Sequence, residues 1–156
     1  MTAKDEVARD LKDSSPSEGL GFVSTGAGQE TWLQERLDRV ARLQSLPRDW
    51  DSYGAEPPNR VAVERSRHVL EILSASGLPS PQITPSAEEG ICISFRNGRF
   101  YAHIECFNSG EIVAATSDGN GAHTLTEVSA DETELIDKAK VIQAAKTIRA
   151  HLARDD

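Results

Sequence analysis

Cys92, His103 and Glu105 stand on two short runs, Ile91 to Arg96 and Arg99 to Phe107, in which apolar residues alternate with polar ones. If the runs pair as a hairpin, alternation brings the thiol, the imidazole and the carboxylate to one face, with His123 within reach. Such a set could activate a thiolate or hold a divalent metal. Zinc sites, however, usually draw on close pairs such as C-x-x-C, and the chain has none. A thiolate nucleophile would also need a lowered pKa and an open cleft. The residues are read instead as a small thiol and a sheet-surface imidazole, with no metal and no cofactor expected.

The remaining chemical patterns are weaker. No G-x-S-x-G elbow occurs around any serine. Asp118-Gly-Asn-Gly121 begins like a calcium loop, but His123 stands where the loop glycine belongs and Ser129 where the bidentate glutamate belongs. A hairpin turn accounts for it. Glu88-Glu89 reads as a polar turn, since adjacent residues on an extended chain point apart. Gly26-Ala-Gly28 lacks the preceding strand, third glycine and lysine of a phosphate loop.

The segment Leu46-Pro-Arg-Asp-Trp-Asp-Ser-Tyr-Gly-Ala-Glu-Pro-Pro58 differs in kind, because it places Trp50 and Tyr53 in a loop stiffened by Pro47, Pro57 and Pro58. The favoured expectation is that both aromatics fold back to plug the gap between the first two helices, with Asp51 accepting backbone N–H bonds in an Asx-type turn. The other is an exposed protein-binding loop, in which Trp50 and Tyr53 are the anchors and Asp51 and Glu56 set charge preference.

The elements around these residues follow from periodicity. Leu33, Leu37, Val40 and Leu43 share one helical face beside Trp32, giving a first helix over 29–46 that Pro47 stops. Asn59 is positioned to cap a second helix, with Ala62, Val69, Leu70 and Leu73 inward and Arg65, Arg67 and His68 mostly outward, ending near Ser76-Gly77. Leu135, Ala139, Ile142, Ala145, Ile148 and Leu152 predict a third helix over 131–152, capped by Ser129 with Glu132 or Asp131 with Glu134.

Between the second and third helices, Asn97-Gly98 signals a two-residue hairpin turn. Counting outward from it pairs Phe95 with Phe100, Ile93 with Ala102, Ile91 with Ile104 and, on the other face, Cys92 with His103. Further strands are expected over 111–116 and 123–128, and a short one at Ile83. The fold class is therefore α+β: an antiparallel β-meander of three to five strands packed against helices in the order α-α-β-β-β-(β)-α. Residues 1–28, rich in Ser, Gly and Pro, are expected to form a disordered arm, and residues 29–156 a single domain.

With 25 Asp and Glu against 17 Lys and Arg, the chain carries a formal charge of −8, a field that repels a phosphate backbone. Direct nucleic-acid binding is not expected. Two cysteines are too few for a disulfide scaffold, and no apolar run reads as a signal peptide or a membrane span, so the expected location is cytoplasmic.

The run Leu46-Pro-x-x-Trp50-Asp-Ser-Tyr-Gly-Ala-x-Pro-Pro58, followed by Pro81-x-Ile-x-Pro85 and Gly90-Ile-x-Ile-x-Phe95, resembles a family of small uncharacterised bacterial proteins. Its members share a W-D-x-Y-x-A-x-P motif and a later P-x-I-x-P…G-G-I stretch that ends in tryptophan. The likeness extends over 33–113, and the chain departs from it at Glu89, where the first glycine of the pair stands, and at Phe95, where tryptophan stands. It implies a helix–loop–helix followed by a meander, and it implies no reaction.

The leading functional expectation is a non-enzymatic, cytoplasmic protein-interaction module of prokaryotic type. One alternative is an acidic inhibitor or antitoxin-like protein that blocks a nuclease or nucleic-acid-binding complex. The other is a minor thiol- or metal-dependent hydrolase using Cys92 or His103. The partner in the first two is another protein, a basic one in the second, and the oligomeric state is left open.

Overall fold

In a computed structural model, residues 25–155 are described, with side chains from Trp32 onward. The elements are α1 (Thr25–Leu43), α2 (Arg60–Ser74), β1 (Gln82–Ser86), β2 (Gly90–Asn97), β3 (Phe100–Phe107), β4 (Ile112–Ser117), β5 (His123–Ser129) and α3 (Lys138–Leu152). The five strands form one antiparallel sheet in chain order, and the helices cover one face of it. This is the expected α+β meander with all five strands present. Of the expected arm, residues 1–24 lie outside the described residues, whereas residues 25–28 belong to α1.

Alternation builds the core. Ile91, Ile93 and Phe95 of β2, Ala102, Ile104 and Cys106 of β3, and Ile112 and Ala114 of β4 all face the helices and are buried. Against them pack Val40 and Leu43 of α1, Val69, Leu70 and Leu73 of α2, and Val141, Ala145 and Ile148 of α3. A buried aliphatic side chain of this size contributes about 1.5–3 kcal/mol relative to exposure, so this layer is the main source of stability.

The β2–β3 register differs from the expected one by two residues. Phe95 faces Ala102, Ile93 faces Ile104 and Ile91 faces Cys106, and the strands continue to an additional pair, Asn97 with Phe100. The turn is Gly98-Arg99, with Gly98 at φ 61° as the first central residue, the glycine position of a II′ turn. Asn97 stays in the strand because its side-chain Nδ2 donates to the Leu152 carbonyl at the end of α3, 2.6 Å away. A slip of two preserves side-chain parity, so every face assignment survives while every partner changes. Cys92 accordingly faces Glu105, and His103 faces Ser94.

The third helix begins later than its periodicity suggests. Asp137, not Ser129 or Asp131, is its N-cap, accepting from Ala139 N and Lys140 N. Leu135 is left 90% exposed, and Val141, Ala144 and His151 join Ala145 and Ile148 on the buried face. Asp131 instead closes a separate turn, its Oδ1 accepting from Thr133 N at 2.9 Å. Arg65 sets the boundary: its guanidinium donates to the Gly110 carbonyl at 2.9 Å, to Ser129 Oγ at 2.6 Å and to the Glu134 carbonyl. An arginine expected to face outward thus ties α2 to the start of β4, the end of β5 and the approach to α3.

Candidate protein-binding loop

The loop between α1 and α2 begins where Ser45 N and Leu46 N bond the Arg42 and Leu43 carbonyls, turning the helix end before Pro47. It ends at Asn59, whose Oδ1 accepts from Ala62 N at 2.9 Å as the N-cap of α2. Between these points the backbone takes left-handed conformations at Asp49 (φ 61°), Ser52 (φ 66°) and Gly54 (φ 90°). For the two non-glycine residues this costs about 1–2 kcal/mol each, so other bonds must hold them.

Those bonds come from the loop's own carboxylates. Asp49 Oδ1 accepts from Gly54 N at 2.5 Å, and Asp51 Oδ1 accepts from Tyr53 N at 2.9 Å and Ala55 N at 3.1 Å. The Tyr53 N–H is the largest of the influences that hold the Asp51 carboxyl below its usual pKa. Backbone bonds Asp49 N to Ala55 O and Ser52 N to Asp49 O, both 3.0 Å, close the turn.

The sheet's turns anchor the loop from outside. Glu89 Oε2 accepts from Glu56 N at 3.2 Å; Asn108 accepts from Asn59 N through Oδ1 at 2.9 Å and donates from Nδ2 to the Pro57 carbonyl at 3.1 Å. Arg48 pairs with Glu56 at 2.7 Å, an exposed contact of little energetic weight. Arg48, Asp49, Glu89 and Asn108 are the participants that sequence reasoning missed. The Asn108-Ser-Gly110 turn was legible, but its long-range partners were not.

The two aromatics separate. Trp50 is half-buried, with Nε1 donating to the Glu56 carbonyl at 3.2 Å. Tyr53 is 92% exposed, so the fold-back expectation fails for it, while the expected Asx turn at Asp51 is present. Asp51 fixes the backbone around Tyr53, accepting from the N–H of Tyr53 and of Ala55.

On the sheet face opposite the helices, Ser86 Oγ donates to Glu105 Oε2 and accepts from Glu88 N at 3.1 Å. His103 Nε2 lies 3.8 Å from Glu105 Oε1, beyond hydrogen-bond range, and the His103 ring sits 5.5 Å from that of Tyr101. The carboxylate thus stands between hydroxyl and imidazole, whereas a serine–histidine–acid relay needs the imidazole in the middle. Cys92 lies 4.0 Å from the Tyr101 hydroxyl, and burial, then the Glu105 charge, push its pKa up to about 11. Among the described residues, no three His, Cys, Asp or Glu side chains gather as a metal set, and no helix is long and apolar enough to cross a membrane.

Comparison with family models, curated proteins and solved structures yields no match for this chain.

Proposed function

We propose that the protein is a non-enzymatic interaction module that presents the Pro47–Pro58 loop, with Tyr53 as its anchor, to a partner protein bearing a cationic surface around an apolar pocket. The observation that carries this reading is an almost fully exposed tyrosine on a loop whose backbone is pinned by Asp49, Asp51, Glu89 and Asn108. A tyrosine offers a large rigid contact at small entropic cost, and a loop already held in place has little left to lose on binding. Left-handed residues kept by surrounding bonds are commonly found at ligand-binding segments. Asp49, Asp51 and Glu56, with Glu88 and Glu89 in the nearby β1–β2 turn, outnumber Arg48 and favour a basic partner.

The formal charge of −8 supports the second reading, an inhibitor or antitoxin-like protein that covers the basic site of a nuclease, through the same loop. The hydrolase reading has less support, since a thiol with a pKa near 11 is almost entirely protonated at neutral pH. The test is capture of partner proteins from the native host by wild type and Tyr53→Ala. Tyr53→Ala is expected to lose at least tenfold of the captured protein at an unchanged thermal midpoint. Equal capture by both would exclude the loop as the contact. Catalytic turnover abolished by a single side-chain replacement would overturn the non-enzymatic reading.

A further inference from the structure

β5 is the one edge of the sheet left open among the described residues. At the other edge, β1 carries Pro85, and the Ile83 carbonyl accepts from Arg39 Nε at 3.3 Å. On β5, residues His123 to Glu127 are exposed on both faces and, among the described residues, pair with β4 alone. They include no proline and no lysine, the usual devices against edge pairing. Leu125 stands 74% exposed in the middle of this stretch. The stretch ends at Val128, where β5 has an extra residue: Glu127 faces Val113, Ser129 faces Ile112, and Val128 turns into the core.

The order of side chains along this edge is self-complementary. Laid antiparallel against itself about a twofold axis at Leu125, the strand sets His123 opposite Glu127, Leu125 opposite Leu125, and Thr124 opposite Thr126. The first pair occurs twice by symmetry and joins a basic-capable side chain to a carboxylate; the leucines cover each other; the threonines form a favourable cross-strand pair on the helix-side face. A parallel alignment would set His123 on His123 and Glu127 on Glu127, which opposes like charges. We propose that the His123–Glu127 edge pairs antiparallel with the same segment of a second copy, joining the two sheets into one continuous sheet.

Charge exchange tests both the partner and the register. His123→Glu places carboxylates opposite Glu127, and Glu127→Lys places ammonium groups opposite His123; the double variant restores opposite signs in reverse order. By sedimentation velocity, wild type and the double variant are expected at twice the monomer mass and each single variant at the monomer mass. An equimolar mixture of the two single variants is expected to recover dimer. These side chains are exposed, and a wild-type far-UV circular dichroism spectrum with cooperative unfolding confirms that each variant is folded, whereas the midpoint itself is expected to fall when the partner is lost. A monomeric wild type at high protein concentration would overturn the proposal. So would single variants that remain dimeric, or a double variant that stays monomeric.

Discussion

Trp50 and Tyr53 lie three positions apart in one loop yet meet opposite environments, because the hydrogen-bond acceptors between and around them fix the backbone. The indole finds an acceptor in the Glu56 carbonyl and is partly buried, whereas the phenol is almost fully exposed. Trp50→Phe should remove that bond at a cost of about 0.5–1.5 kcal/mol, read as a lower denaturation midpoint at an unchanged m-value. Tyr53→Phe should leave stability unchanged. At the other candidate site, a Cys92 pKa near 11 in place of 9.0 leaves about a hundredfold less thiolate at neutral pH. Iodoacetamide should therefore modify Cys92 far more slowly in the folded protein than after denaturation. A folded-state rate equal to the unfolded one would contradict the burial assigned to it.

Each element was legible to the extent that its cause was local. The alternation in β2 and β3 assigned Ile91, Ile93, Phe95, Ala102 and Ile104 to the core correctly, because parity depends only on an extended backbone. The register was less legible, since either Asn97-Gly98 or Gly98-Arg99 can supply a two-residue turn, and the contact of Asn97 with the end of α3 selects the second. The start of α3 failed for a similar reason. Asp131 and Asp137 both have the chemistry of a cap, and Arg65, from a distant helix, holds the Ser129 hydroxyl and the Glu134 carbonyl outside the helix. Asn59, by contrast, was correct because capping is local, and Asn59→Ala should cost about 1 kcal/mol, or more with its Nδ2 bond to the Asn108 carbonyl also lost, in thermal or chemical unfolding. Gly110 adopts φ +95°, and a Cβ there would meet Glu132 N at 2.2 Å. Gly110→Ala should lower stability by about 1–3 kcal/mol, since both backbone strain and a backbone clash oppose it.

The molecule as a whole is acidic. A formal charge of −8 on 156 residues favours association with basic surfaces and makes such association sensitive to salt. Asp51, Asp118 and Asp131 each accept bonds from turn N–H groups or a hydroxyl, which hold all three below the ordinary carboxylate pKa. A depressed folded-state pKa contributes stability at pH values above the unfolded value, and that stability is lost as pH falls through the folded value. Thermal midpoints should therefore hold steady from neutral pH to about pH 5 and decline below about pH 4, with the three carboxylates among the last to protonate by NMR titration.

The central claim is that a fixed, acidic loop offers Tyr53 to a basic partner. The most direct measurement compares wild type and Tyr53→Ala as bait in extracts of the native host, over a series of salt concentrations, with both thermal midpoints recorded. The expected result is a protein held by wild type, released as salt rises and lost from Tyr53→Ala although that variant is as stable as wild type. The same protein held equally by both baits at every salt concentration would contradict the account.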